Sequence, residues 1–174
     1  IQRPAGVEYP GRRYLGICAF GRRYPVAMIR LYVALMASAQ RLFEKYDNLA
    51  DPWMTLTGYF NSIRELAGTR RLVGDDIHTR LRDADQRGLA KRLIRLGAVE
   101  ELTSRKTGTD IPKILERLEL TFDKAQDAQR EGDRKAGKQA ATRPYDAILA
   151  TNMISVGADI ERLGLMAVAG QPKN

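Results

Sequence analysis

The sequence predicts a three-layer α/β domain, in which helices cover both faces of a mostly parallel sheet. Short apolar runs typical of buried strands alternate with longer stretches in which apolar residues recur at helical spacing. The segments between successive runs are long enough to cross over between parallel strands, as alternating strands and helices do in α/β proteins. With 174 residues, of which 44% are hydrophobic and 29% charged, the chain has the size and composition of one globular domain.

Five segments of the chain are predicted to be strands. The first covers residues 14–20 and lies in a leading segment that spans 1–24. The only cysteine of the chain, Cys18, is expected to be a small core residue of this strand. The other four predicted strands are 53–60, 98–104, "DAILAT" and "LMAVAG".

Helices are predicted between these strands from local start signals. Pro25 suits the first turn of a helix that continues to Tyr46, because the missing N–H is not needed there. Ser62 and Glu65 have the S-x-x-E spacing of a capping box, so a helix is expected to begin at this point. Asp110 is expected to cap a further helix, within "IPKILERLELTF".

Two other stretches have weaker signals. Residues 74–97 carry apolar residues at helical spacing, and Gly97 supplies the end of the predicted helix. Residues 123–143 are nearly all polar and are predicted to be a solvated helix end followed by a loose, disordered connection. His78 lies among charged residues and is expected to be a surface residue rather than a catalytic one.

Composition excludes several classes of site. One cysteine rules out an internal disulfide, and one histidine with one cysteine gives no metal-ligand spacing, so no metal site is expected. No apolar run reaches the roughly 20 residues that cross a bilayer, and the start lacks the pattern of a signal peptide. No membrane contact is therefore expected, and the expected location is cytoplasmic. The net charge of +8 favours polyanionic partners such as nucleic acid.

Polar side chains follow three of the predicted strands, at the point where each strand ends. The exits are occupied by pairs of small hydroxyl or amide residues, Asn61–Ser62, Thr103–Ser104 and Thr151–Asn152. Because ligands bind where the carboxyl ends of parallel strands meet, these residues are candidates for one shared site. Their hydroxyl and amide groups can donate hydrogen bonds to phosphate oxygens. The alternative is that they cap helices, and for Ser62 the capping role is favoured.

Gly157 and Asp159 form a second candidate pair, within "SVGADI". A glycine lets the backbone approach a ligand closely, and a carboxylate two residues later can accept a hydrogen bond from a ribose hydroxyl. The same residues would equally suit a tight turn in which Asp159 caps a short helix. The residues by themselves leave both interpretations open.

The C-terminal part of the sequence resembles a known family. "DAILATNMISVGADI" is similar to motif V of the superfamily 2 helicases, and "MTLTGYFNS" is similar to their motif IV. "VEELTSRKTGTDIPKILERLE" occupies the place of the strand, loop and helix between those motifs. From about Arg13 onward, the wider sequence also resembles a helicase of a phage-defence system.

The resemblance implies that residues 1–174 form a single, truncated RecA-like domain of the P-loop NTPase type. Such a domain is the C-terminal lobe of an ATP-dependent helicase or translocase, here one that acts in antiphage defence. In that family Thr151 would contact the nucleic-acid backbone, while Gly157 and Asp159 would face the nucleotide. The other strand-exit residues would line the track of one strand: Asn61, Ser62, Thr103, Ser104 and Asn152.

The same resemblance implies partners and cofactors. The partners would be nucleic acid, with DNA favoured over RNA, the N-terminal RecA-like lobe of the same protein, and a subunit of the defence system. The cofactors would be ATP and Mg²⁺, bound only by the intact protein.

The sequence also departs from that family. It contains no G-x-x-x-x-G-K-[ST] phosphate loop and no Asp-Glu acidic box, and it ends before the arginine-rich motif VI. Ala158 stands where the family usually has valine. Without the phosphate loop and those arginines the transition-state charge has no stabiliser, so the isolated chain is not expected to hydrolyse ATP. The alternative function is a non-catalytic RecA-like module that binds DNA or a protein.

Overall fold

The computed structural model describes residues 13–95, 97–151, 160 and 162–170. Within these residues, four strands form one sheet with the order β2-β3-β1-β4, and every neighbouring pair is parallel. The strands are β1 (Leu56–Phe60), β2 (Val99–Leu102), β3 (Ala147–Ala150) and β4 (Leu165–Ala169). The prediction of a parallel sheet is therefore confirmed.

The helices lie between and before the strands. In chain order they are α1 (Tyr24–Tyr46), α2 (Asp51–Met54), α3 (Ile63–Leu72), α4 (His78–Arg82), α5 (Asp110–Glu119) and α6 (Lys124–Lys135). A π-helical turn at Val73–Ile77 joins α3 to α4, and short 3₁₀ turns lie at Asp47–Ala50 and Ala84–Arg87. Pro25 occupies the first turn of α1, as predicted.

The side chains of β3 show how the sheet separates two apolar layers. Ala147 and Leu149 belong to the cluster formed with α1, α3 and α4, whereas Ile148 and Ala150 belong to the cluster formed with α5. Successive residues of a strand point to opposite faces of the sheet. Because apolar side chains cover both faces, all four side chains are buried. The chain therefore has the predicted three-layer α/β architecture, with helices on both faces of the sheet.

The segment from Tyr24 to Met54 is long and apolar enough to cross a membrane, the one such helix among the described residues. Within it, Tyr32 and Met36 are fully buried in the cluster that covers the sheet. Arg30 and Ser38 of the same helix are exposed. An apolar stripe against the sheet with polar residues opposite is the pattern of a core helix.

The centre of β1 leaves no room for a side chain beneath α1. A Cβ at Gly58 would overlap the Tyr32 hydroxyl oxygen and would lie 2.9 Å from Leu149 Cδ2 and 3.0 Å from Phe60 Cε2. The Tyr32 hydroxyl is buried without a hydrogen-bond partner among the described residues, and burial raises the pKa of Tyr32 well above its ordinary value. Close packing, rather than a hydrogen bond, therefore seats α1 on the sheet at this point.

Two buried ion pairs hold the edge of the sheet at which the strands begin. The Arg92 guanidinium lies 2.7 Å from Asp146 Oδ1 and donates a 2.6 Å hydrogen bond to the Met54 carbonyl oxygen. Arg162 contacts Asp51 at 2.6 Å. Because Met54 precedes β1 and Asp146 precedes β3, the first pair ties together the entrances of two adjacent strands.

The strand predicted at 14–20 is wrong. Residues 13–19 have no regular structure, and Tyr14, Leu15 and Phe20 are more than four-fifths exposed. Cys18 is exposed rather than part of the core. The apolar run has the composition of a strand, but a strand is stable only when a neighbour supplies its hydrogen bonds, and no described strand pairs with this segment.

Two predicted elements are shorter than the sequence pattern indicates. The strand predicted at 53–60 starts at Leu56, because the short helix α2, with Pro52 in its first turn, continues to Met54. The helix predicted at 74–97 ends at Arg82, and after a 3₁₀ turn Gly88 takes the left-handed conformation with a φ of 71°. Residues 89–95 then run without regular structure.

Residues 123–143, predicted to be a solvated helix end followed by a loose connection, contain the helix α6 and then residues without regular structure at 138–143. The Asp123 side chain accepts a 2.8 Å hydrogen bond from the Gln126 amide and caps α6. Arg130 is buried on this helix and binds Asp127 and Gln126. Capping and ion pairs within one helix turn thus stabilise a helix that has almost no apolar face.

Candidate nucleic-acid interface

The carboxyl ends of β1, β2 and β3 lie side by side at one edge of the sheet. Tyr59 of β1 and Leu102 of β2 are both in register with Ala150 of the central strand β3. The Thr151 amide continues this ladder by donating a 3.3 Å hydrogen bond to the Leu102 carbonyl oxygen. Since neighbouring strands are about 4.8 Å apart, the three exits form a row about 10 Å long.

This row is the carboxyl edge of the sheet. Its described members are Asn61, Ser62, Thr103, Ser104 and Thr151. The structure therefore brings together five of the residues that the strand-exit pattern selected. Asn152, Gly157 and Asp159 lie outside the described residues, so their roles stay predictions.

The exit of β1 combines a helix cap with a contact to β4. Ser62 Oγ accepts a 3.2 Å hydrogen bond from the Glu65 amide, which confirms the capping role of Ser62. The Asn61 side-chain amide donates to the Ala169 carbonyl oxygen at 3.5 Å. Gly170, with a φ of 77°, leaves the space for this contact, because a Cβ there would lie 2.9 Å from Asn61 Nδ2. The first turn of α3 thus begins within the row and brings the positive end of its dipole there.

The exit of β2 is a compact loop with one exposed hydroxyl group. Thr103 is buried, and its hydroxyl accepts a 3.4 Å hydrogen bond from the Arg105 amide. Ser104, by contrast, is exposed. The Lys106 ammonium group donates a 2.8 Å hydrogen bond to Glu100 and fastens the loop to β2. Thr103 therefore shapes the loop, while Ser104 presents its hydroxyl group to solvent.

Two exposed arginines add positive charge to the carboxyl edge. Arg105 follows Ser104 directly, and Arg64 lies in the first turn of α3. The predicted site comprised only small polar residues, so neither arginine was predicted. The signal was present in the sequence, because each arginine lies within two residues of a strand-exit pair.

The groups at the carboxyl edge suit anion binding rather than acid–base chemistry. They comprise hydroxyl and amide groups, guanidinium groups and the start of a helix, all of which favour phosphate oxygens. In the part of the chain that the structure describes, no group of three or more His, Cys, Asp or Glu side chains could hold a metal ion. The arrangement can hold a phosphate backbone without altering it chemically.

The loop at the exit of β2 should lose stabilisation in acid. Burial acts to raise the pKa of Glu100, but hydrogen bonds from Lys106 and from the Glu101 amide outweigh it and hold the pKa below its ordinary value. A carboxylate with a lowered pKa in the folded state stabilises the fold above its unfolded pKa, and this contribution is lost as the pH falls through the folded pKa. We therefore expect the stability difference between the wild type and Glu100→Gln to shrink as the pH falls below about 4.

Urea unfolding of both proteins across the acid range measures this difference. Glu116→Gln, at an exposed position of α5, is the matched control and should show a constant difference. A difference for Glu100→Gln that does not change with pH would contradict the assignment.

The chain is similar to part of a curated protein. No protein-family model matches the chain. The sequence is 39% identical over 168 residues to the DISARM protein DrmA of Bacillus paralicheniformis, and the match covers 95% of this chain. The chain spans only 13% of the length of that curated relative. Along nearly all of its length, the chain is therefore similar to one segment of DrmA.

Proposed function

We propose that the carboxyl edge binds the sugar–phosphate backbone of a nucleic acid. The observation that supports this most strongly is the row of polar strand exits, in register across three parallel strands. Ligands of open α/β sheets bind at this edge. The described members of the row supply donors to phosphate and include no element that could enter a groove to read bases, so we expect binding with little sequence preference.

The charge of the same edge supports the proposal. Arg64 and Arg105 are exposed at two of the three exits, and Lys106 lies next to them. Glu100 and Glu101 pair with Lys106 and Arg70, whereas Arg64 and Arg105 form no ion pair among the described residues. Phosphate contacts by arginine dominate affinity for nucleic acids and make it depend on salt.

The chain would act as the C-terminal motor lobe of an ATP-dependent superfamily 2 helicase or translocase. In this proposal Gly157 and Asp159 face an ATP–Mg²⁺ complex that a partner N-terminal lobe holds by its phosphate loop. The nucleotide supplies the energy of phosphoryl transfer. The part of this chain is to grip the backbone through Thr151 and its neighbours, and to close against the other lobe.

A role in antiphage defence in the cytoplasm completes the proposal. It is supported by the 39% identity to a segment of the DISARM protein DrmA. From the resemblance to a phage-defence helicase, we also propose DNA as the nucleic acid and another subunit of the defence system as a partner.

Removing either exposed arginine should lower the salt dependence of DNA binding. For single strands the slope of log K against log salt changes by roughly 0.7 for each phosphate that the protein no longer neutralises. We therefore expect Arg64→Gln and Arg105→Gln each to reduce the slope by about that amount. Fluorescence anisotropy of a labelled oligothymidylate, titrated at several salt concentrations, measures the slope.

Arg41→Gln is the matched control, because Arg41 is exposed on α1 and belongs to no strand exit. Its slope should equal that of the wild type. Equal effects of all three substitutions would mean that the net charge of +8 binds DNA diffusely, and would contradict a localised site.

The second candidate function is a non-catalytic RecA-like module that binds DNA or a protein. The carboxyl edge would serve this function equally well, because backbone binding does not require ATP. ATP turnover by the whole protein, measured with and without DNA, separates the two functions: the motor lobe requires turnover that DNA stimulates, and the binding module does not.

A further inference from the structure

A cavity of about 400 Å³ lies away from the carboxyl edge, between the end of α3 and the chain that enters β2. Val73 and Gly74 of the π-helical turn form one side, and Gly97 and Val99 form the other. Val99 is the first residue of β2, whereas the carboxyl edge begins after the last residue of that strand. The volume is in the range of small-molecule sites, and none of the proposed nucleic-acid contacts lines it.

Two arginines line the cavity, and each has one carboxylate partner. Arg70 donates to the Val99 carbonyl oxygen and lies 3.8 Å from Glu101. Arg95 lies 3.2 Å from Glu131. The carboxylate fixes the position of each guanidinium group. Because a guanidinium group has five N–H donors, it keeps donors for a second acceptor. Their side chains are 40% and 35% exposed, which makes these donors accessible.

The charge and shape of the lining define the kind of ligand. His78 joins the two arginines, and no carboxylate is among the described lining residues. The remaining wall is apolar and consists of Val73, Ile94 and Val99, all buried. A planar fork of donors next to an apolar wall suits a phosphate group attached to a flat, weakly polar body.

The backbone around the cavity supports a binding role. The turn at Val73–Ile77 is π-helical, a rare conformation that occurs mostly at functional sites. Both glycines of the lining face open space, because a Cβ at Gly74 or Gly97 would meet no atom within 4 Å. Packing alone therefore does not account for a glycine at position 74, in the middle of a helical segment where alanine would be more stable.

We propose that this cavity binds a phosphorylated nucleotide, through Arg70, Arg95 and His78 for the phosphate and the apolar wall for the base or sugar. The ligand is either a free nucleotide or one unit of a nucleic-acid strand. The proposal rests on the cavity and does not depend on the function proposed for the carboxyl edge.

Titration calorimetry with thymidine monophosphate tests the site, with thymidine as the probe that lacks a phosphate. The wild type should bind the monophosphate with an affinity in the millimolar range or better, and at least about tenfold more tightly than thymidine. Gly74→Glu places a carboxylate in the open space beside the arginines and should weaken monophosphate binding by at least about tenfold. Gly74→Ala is the control, because a methyl group fits there, and it should bind like the wild type.

A third titration distinguishes the two sources of the nucleotide. If Gly74→Glu also weakens binding of an oligothymidylate, the ligand is a unit of a strand; if it weakens only the monophosphate, the ligand is free. Absence of saturable monophosphate binding by the wild type, or equal binding by wild type and Gly74→Glu, would overturn the proposal. Circular dichroism of the two Gly74 variants confirms that they are folded. Arg41→Gln, which belongs to neither site, should leave monophosphate binding unchanged. The carboxyl edge is tested by the salt slope of Arg105→Gln and the cavity by Gly74→Glu, so the two proposals can fail separately.

Discussion

Asp146→Ala is expected to lower the free energy of unfolding by about 3–5 kcal/mol. The substitution leaves the Arg92 guanidinium buried without a carboxylate, since both side chains of the pair are almost completely inaccessible. Arg92 also donates to the Met54 carbonyl oxygen and lies 3.5 Å from that of Met36. The destabilisation therefore reaches α1 and the entrance of β1 as well as β3. Urea unfolding followed by circular dichroism measures it.

Two variants separate the effect of a buried, unpaired charge from the effect of a smaller side chain. Asp83→Ala removes an exposed carboxylate that pairs with Arg82, and its unfolding midpoint should remain close to that of the wild type. The double variant Arg92→Met/Asp146→Leu removes both charges and should recover most of the stability that Asp146→Ala removes. Equal midpoints for Asp146→Ala and Asp83→Ala would show that the pair does not hold the edge of the sheet.

Gly58→Ala is expected to destabilise the fold by about 3 kcal/mol, a large effect for one added methyl group. The new Cβ would overlap the Tyr32 hydroxyl oxygen and crowd Leu149 and Phe60, and all three side chains are fully buried, so they have little space to move away. Removing the hydroxyl group should relieve part of the strain. In the Tyr32→Phe background, the cost of Gly58→Ala should therefore fall by about 1 kcal/mol or more.

Gly68→Ala provides the matched control, because Gly68 is exposed within α3 and a Cβ there meets no atom within 4 Å. It should stabilise the protein by about 0.5–1 kcal/mol through helix propensity. Tyr32→Phe alone should be close to neutral, since the buried hydroxyl group has no partner among the described residues. If Gly58→Ala lowers the free energy of unfolding by the same amount in the wild type and in the Tyr32→Phe background, the proposed packing of α1 on β1 is contradicted.

Local signals in the sequence were sufficient for much of the fold. The capping pair Ser62 and Glu65 and the position of Pro25 placed two helix starts correctly, because these residues act within one turn. "DAILAT" became β3, because a parallel strand covered on both faces needs a continuous apolar run. "LMAVAG" became the edge strand β4, although Met166 and Val168 on one of its faces are exposed.

The errors occur where distant contacts decide the structure. Nothing within residues 14–20 reveals that no described strand pairs with them. In the same way, the apolar residues of 74–97 keep their helical spacing past Gly88. The segment that contains Arg92 is nevertheless not helical, and Arg92 there binds Asp146, which is distant in sequence. The polar helix α6 differs, because local contacts stabilise it: Asp123 caps it and Arg130 binds Asp127, and a hydrophobic pattern does not detect such contacts.

The candidate site could be predicted in position but not in detail. The rule that ligands bind at the carboxyl ends of parallel strands predicts that the exits at Asn61, Ser104 and Thr151 lie together, and the strand register confirms this. It could not show that Thr103 points into its own loop, because that depends on the hydrogen bond with the Arg105 amide. It also could not identify the cavity beside Arg95, whose walls come from segments distant in sequence.

Hydrogen exchange of the backbone amides, with and without a saturating single-stranded DNA, tests the central claim most directly. If the carboxyl edge binds the phosphate backbone, DNA should slow exchange at residues 61–65 and 103–107 and leave residues 121–125, near the opposite edge, unchanged. Protection confined to that opposite edge, or no protection at either strand exit while DNA is bound, would contradict the account.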